Sequence, residues 1–422
     1  MATDVDVQFF SHLNGLTLSN NWGDLIRLLD QALVTGIDFT QITAASIDAQ
    51  GDVHITLYSA HNSMLLQVVE LSGFTPASLN QKYRIKGVPS STELILKPHT
   101  DITETTISTV GAAKLASLGY EIIFRDTNDV KRVYRAKNST AQHPYIRVDE
   151  SIASDTGSYA STYAKYAMVG LLEHMDHIDD YENPDVLQLP FDPADPAKNW
   201  KIAGSGTGVT RGWSRWYWAA LNSFNGNMIA TASPATGQRG FTLLGDQDAF
   251  YLDLSLSLDL TKKEIYGCGI INASLDSSIV RSWFLMSTLN NVSASTAFTG
   301  TFIQGGSPIA NSLNSAKFLI PKYSLADPIQ DHTTANPIVP DYFSGRTGLY
   351  DSNNIAALEI PISDDQKYLR GHLKHIHYCG NIKSLSASTP ILKDNFMYVG
   401  DNIYVGDATN NTGVIIGYLG EL

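Results

Sequence analysis

The sequence predicts a mainly β protein: an N-terminal helix with a small β module, followed by a β-sandwich or barrel-like C-terminal domain. Three observations carry that expectation. Charged residues make up only 17% of the 422, below the roughly 25% of ordinary globular domains, and Ser, Thr, Asn and Gly fill the shortfall. Short runs alternating apolar with polar residues recur between Gly, Pro, Ser and Asn clusters, which is the pattern of strands and turns. A helical period is clear in one segment alone. The length, with 43% hydrophobic residues, is ample for a buried core and suggests two or three domains.

The helix is expected in NNWGDLIRLLDQALVTG, where Leu25, Leu28, Leu29, Ala32 and Leu33 recur on one helical face. Asn21 is its candidate N-cap and Gly36 its stop. Beyond it Val53, Ile55 and Leu57 alternate with polar residues, and the runs Val68 to Leu71, Tyr83 to Ile85 and Leu94 to Leu96 complete a small antiparallel module. YEIIFRDTNDVKRVYRA reads as a hairpin turning at Asp126 to Asp129. These elements fill residues 1–150, taken as a docking region. Residues 151–210 are expected to be an irregular connection, with a second helix around AKYAMVGLLEHMDHIDDYENPDV and an extended stretch set by Pro190, Pro193 and Pro196. Residues 211–422 form the β-rich domain. Its clearest strand is FYLDLSLSLDL, whose Leu252, Leu254, Leu256, Leu258 and Leu260 are predicted to be buried while Asp253, Ser255, Ser257 and Asp259 face water.

Charge narrows the partners. With 42 acidic and 29 basic residues, a net −13, the chain offers no basic face for phosphates, so nucleic acid is not an expected partner. No stretch is long and apolar enough to span a bilayer, and MATDVDVQFF lacks the basic and apolar regions of a signal peptide, so no membrane partner and no classical export are expected. Cys268 and Cys379 are too few for a disulfide framework and read as buried thiols. No cofactor is implied.

Four stretches hold residue types that can do chemistry. GHLKHIHYCG, residues 371–380, read as a strand, puts His375, His377 and Cys379 on one face and His372 on the other. Those three span about 13 Å, too far for one ion, so a half-buried strand with hydrogen-bonded histidines is expected and an ion at His372, His375 or His377 stays open. EHMDHIDDYEN, residues 173–183, sets His174 and His177 at helical spacing among Asp176, Asp179, Asp180 and Glu182. It matches neither HExxH nor an EF-hand, and reads as a solvated acidic turn with ion binding also open. GSGTGVTRG, residues 204–212, lacks the Gly-Lys-Ser/Thr ending of a phosphate loop. RGWSRWYWAAL places Trp213, Trp216 and Trp218 together, with Arg211 and Arg215 nearby. Such aromatics fit a core or subunit interface better than a sugar-stacking surface. No catalytic residue emerges, and there is no G-x-S-x-G elbow.

The order of the motifs resembles that of a group of tailed-bacteriophage virion structural proteins. It runs from the helix LIRLLDQALVTGI through GDVHITLYSAHNSMLLQVVELSGFTPASLNQKYRIKGVPSSTELIL and KRVYRAKNSTAQHPYIRVDES. It continues with WSRWYWAALN to LLGDQDAFYLDL and ends at YLRGHLKHI. Lys374 and His375 depart from the family's Gly or Pro in that last segment, and residues 173–183 have no counterpart. The resemblance implies a non-enzymatic component of the tail or baseplate, assembled in the host cytoplasm into the virion. Its partners would be other virion proteins and copies of itself. Leu25, Leu29, Leu33, Trp213, Trp216, Trp218 and Arg370 are the interface candidates. A head or neck decoration protein is one alternative. Another is a carbohydrate-binding adhesin or a glycan-degrading enzyme using Asp246, Asp248 or Asp253 as paired carboxylates.

Overall fold

Period-two segments become strands throughout. The structure, a computed structural model, describes residues 3–138, 143–154, 157–158, 161–204, 209–222, 227–229, 232–260, 263–273, 282–289, 303–304, 308–309, 316–322, 331–337, 357–379, 388–404 and 412–422. In Val53–Leu57 the apolar residues are buried and His54 and Thr56 are half-exposed, as alternation requires. This strand belongs to a seven-stranded antiparallel sheet, the N-terminal sheet. Its order is Ile37–Asp38, Ala112–Leu115, Val68–Ser72, Lys82–Ser90, Glu93–Pro98, Val53–Leu57, Ile42–Ile47.

The helix does not open the chain. Strand Gln8–Ser11 and the short turn His12–Asn14 precede it, and it runs as α-helix over Asp24–Leu29 and widens to a π-helical turn over Asp30–Thr35. Leu25, Leu28, Leu29, Ala32 and Leu33 are all buried, so the predicted face is the packed one. Its cap is Gly23 rather than Asn21. The Glu150 carboxylate, one residue past the strand Tyr145–Asp149, accepts the N–H groups of Gly23 and Ile26, which would otherwise be orphaned at the helix start. Gly36 ends it at φ 75°, with the carbonyl of Leu115 occupying the place of a side chain.

The central sheet gathers strands from residues 8 to 334. Its order is Gln8–Ser11, Phe241–Gly245, Ala249–Ser255, Lys263–Ile270, Trp283–Leu289, Ser214–Ala219, Lys165–Leu172, Tyr145–Asp149, Lys131–Ala136, Tyr120–Arg125. Gln188–Leu189, Ala316–Lys322 and Asp331–Thr334 attach beside this path. The hairpin 120–136 forms as expected. The helix expected around 164–183 does not: Lys165–Leu172 is a strand buried along its whole length. The one-wet-face reading of FYLDLSLSLDL also fails. Every residue of Ala249–Ser255 is buried, and Leu258 and Leu260, past the strand's end, are 46% and 44% exposed.

The reason is that both faces of this sheet are covered. Leu243, Phe250, Leu252, Leu254 and Cys268 pack with the helix leucines and the N-terminal sheet. Leu244, Tyr251 and Ile265 pack with Ile376, Val399 and Ile415 of a six-stranded C-terminal sheet. That sheet runs Asn336–Pro337, Leu358–Ser363, Leu369–Tyr378, Thr412–Glu421, Phe396–Tyr404, Thr389–Lys393. Cys268 and Cys379 are free and buried, as read from the sequence.

Candidate functional site

A polar cluster forms where the central and C-terminal sheets meet, built on the turn between Phe241–Gly245 and Ala249–Ser255. The Asp246 Oδ1 atom accepts the backbone N–H groups of Asp248 at 2.8 Å and Ala249 at 3.0 Å, which fixes the turn. Its Oδ2 atom faces His375 Nε2 at 2.8 Å and Lys374 Nζ at 3.4 Å. Lys374 Nζ also reaches Asp248 Oδ2 at 2.5 Å, and His143 Nε2 stands 2.9 Å from Asp248 Oδ1.

Simple alternation does not put neighbours 374 and 375 at one turn. His375 has φ 63°, a bulge that resets the strand: Leu373, Ile376 and Tyr378 face inward while Lys374 and His375 both reach the carboxylates. The predicted grouping of His375 with His377 and Cys379 is therefore corrected. His377 and Cys379 belong to the sheet's outer side, where Cys379 packs with Val414 and Ile416. His372 instead meets the end of the central sheet, exchanging backbone hydrogen bonds of 3.0 Å with Asn272 and placing Nε2 3.0 Å from its Nδ2.

The surrounding charges set the ionisation of the two carboxylates. The hydrogen bond from His143, with the one from Lys374 and its charge, outweighs burial and holds Asp248 well below the usual carboxylate range. Burial pushes Asp246 up, but His375 and Lys374 outweigh it and Asp246 also lies low. Neither group is then the protonated acid that a glycosidase needs opposite its second carboxylate. The Lys374 ammonium stands at both carboxylates, where a shared divalent ion would have to lie. Among the described residues no group of three or more His, Cys, Asp or Glu could hold a metal ion. Asp253 is elsewhere, buried beneath the C-terminal sheet.

The other candidates are placed as follows. Residues 173–183 form turns rather than a helix. Asp179 Oδ1 accepts from Lys131 at 2.7 Å and Arg147 at 2.6 Å, so part of that acidic run anchors a neighbouring hairpin. In GSGTGVTRG, residues 205–208 lie outside the described residues. Trp213, Trp216 and Trp218 are buried in the core, Trp216 stacked on Tyr266 and Trp218 edge-on to Trp22, so no sugar can stack on them. Leu25, Leu29 and Leu33 are equally internal. These six interface candidates are core residues because the central sheet is covered on the face they occupy. Arg370 is partly exposed and paired with Asp364.

Sequence reading missed the outer face of the C-terminal sheet. There Tyr418 contacts Tyr398, Phe396 and His377 with ring centroids 5.5, 6.3 and 6.3 Å apart. Beside this strip a groove is lined by Ala357, Ile391, Lys393, Asp394, Phe396, Tyr398 and Ile416. Burial pushes the His377 imidazole pKa down, with Glu359 opposing it. The signal was present in NFMYVGD, where Phe396 and Tyr398 alternate with the inward Met397 and Val399. No protein-family model matches the chain, and no curated protein matches it either.

Proposed function

We propose that this protein is a non-enzymatic structural component of a tailed-phage virion, in the tail or baseplate, that works through contacts with its own copies and neighbouring virion proteins. The motif order from LIRLLDQALVTGI to YLRGHLKHI supports the phage reading. The observation that carries assembly is the aromatic strip Phe396, Tyr398 and Tyr418 on the outer side of a sheet whose inner side is spent on the core. Apolar and aromatic surface of this kind drives subunit association. Ile391, in register with Tyr398, extends it. On this reading the C-terminal sheet is one layer of a sandwich with the central sheet, and its outer side docks.

Size-exclusion chromatography with light scattering tests it. A defined homo-oligomer is expected, with Phe396→Glu and Tyr418→Glu reducing it to a monomer of unchanged circular dichroism; a wild-type monomer that cleaves a glycan would overturn the reading. The same strip favours a carbohydrate-binding adhesin as the second reading, because tyrosine rings can stack on a sugar. Glycan-array binding lost in Tyr398→Ala and Tyr418→Ala, from a chain that stays monomeric, would promote it.

A further inference from the structure

Among the described residues, the face of the central sheet that meets the C-terminal sheet carries a buried polar patch. Asp253 is in register with Thr242 on one neighbouring strand, and Ser255 with Lys263 on the other. All four are buried. From the C-terminal sheet, Asp401 enters this patch, pairs with the Lys263 ammonium and accepts the Thr242 hydroxyl. Ser388 Oγ lies 2.6 Å from Thr242 Oγ1 and 2.8 Å from Ser11 Oγ, so the network joins the first strand of the chain, the central hairpin and the C-terminal region.

Two carboxylates share one cation here. Asp401 takes it, while both Asp253 oxygens and the Ser255 hydroxyl have no hydrogen-bond partner among the described residues. A second negative charge in such a place would carry a desolvation cost that nothing opposite offsets. The charges balance only when Asp253 holds a proton.

We propose that this patch is a proton-operated latch: with Asp253 protonated, the Lys263–Asp401 pair holds the C-terminal sheet on the central sheet, and loss of that proton releases it. Burial, and then repulsion by Asp401, push Asp253 well above its ordinary value, with Lys263 opposing. Those two are the charged groups that face it, Lys263 from its own sheet and Asp401 from the sheet packed above. Because the docked state holds a proton that the undocked one gives up, docking is strongest at low pH and is lost as pH rises through the Asp253 value.

Hydrogen exchange by mass spectrometry on the full chain, from about pH 5 to about pH 10, tests the latch. After correction for intrinsic rates, peptides covering Phe396–Tyr404 and Thr412–Glu421 should lose protection with rising pH, by up to about tenfold per pH unit for one proton. Those covering Val53–Leu57 and Glu93–Pro98 should lose clearly less, since only the loss of overall stability from Glu264 reaches them. Asp253→Asn should keep the C-terminal sheet as protected as Val53–Leu57 and Glu93–Pro98 across the range. Should that variant fail to fold, Lys263→Gln, which strips Asp401 of its cation, should expose the C-terminal sheet already near neutral pH. Wild-type protection that is flat over the whole range, an Asp253→Asn profile that copies wild type, or a Lys263→Gln protein still protected there would each overturn the proposal.

Discussion

Glu264 shows what burial does to a single side chain in this protein. It sits in the central sheet with the Tyr266 hydroxyl donating to it at 3.3 Å, and burial raises its pKa from 4.5 to about 8. The folded chain therefore holds a proton that the unfolded chain releases near 4.5, so the contribution to stability is full below that pH and is lost as pH rises to about 8. Glu264→Gln has no such proton to lose. Denaturation at about pH 5 should find the variant within about 1 kcal/mol of wild type, and at about pH 9 it should find the variant more stable by a few kcal/mol. A gap that stays constant with pH would mean that Glu264 is solvated. Nothing in KEIYGCG announces this, because alternation tells which residues share a face and not whether that face is dry. Asp253 and Ser255 teach the same lesson: they lie on the side of their strand that reads as wet, and the C-terminal sheet covers it.

At the scale of elements, the strand Leu369–Tyr378 is shaped by two departures from regular backbone. One is the bulge at His375. The other is Gly371, at φ 133°, where an added Cβ would stand 2.2 Å from the Asn272 carbonyl oxygen and 2.7 Å from Ile271 Cγ2. Only glycine lets the strand lie this close to the central sheet. Gly371→Ala should destabilise the protein by about 2–4 kcal/mol in urea unfolding. A loss below about 0.5 kcal/mol would show that the bridge between Asn272 and His372 is dispensable. The helix was readable because one face is buried and one is not, and the five leucine and alanine positions stand at the helical period. Lys165–Leu172 was not, since KYAMVGLL is covered on both sides and a continuous apolar run carries no period that separates strand from helix.

For the whole molecule, Lys374 is the point where the sheets are tied. It brings a C-terminal strand to the turn at Asp246 and Asp248, which His143 reaches from the chain leading into Tyr145–Asp149. Lys374→Met should cost about 1–3 kcal/mol, less than a fully buried pair because water reaches the site. Both carboxylates have lowered pKa values, so their contribution is present above the ordinary 3.8 and is lost as pH falls through the lower folded values. Removing the ammonium lets both rise, and the acid-unfolding midpoint followed by tryptophan fluorescence should move to higher pH. An unmoved midpoint would mean that the histidines alone hold the turn.

The sequence by itself determined the β-rich class, the position of the helix's buried face, the 120–136 hairpin, the alternating strand at Val53–Leu57 and the free state of both cysteines. Each depends on local spacing or on composition, which the chain carries without knowing its neighbours. Only the tertiary structure decided that the central sheet is dry on both faces, that Leu25, Leu29, Leu33, Trp213, Trp216 and Trp218 are core residues, and that His375 joins Asp246 while His377 faces outward. Those outcomes depend on which surface covers which, and on a bulge at His375 that turns a strand's pattern over; contacts between residues more than a hundred positions apart set both.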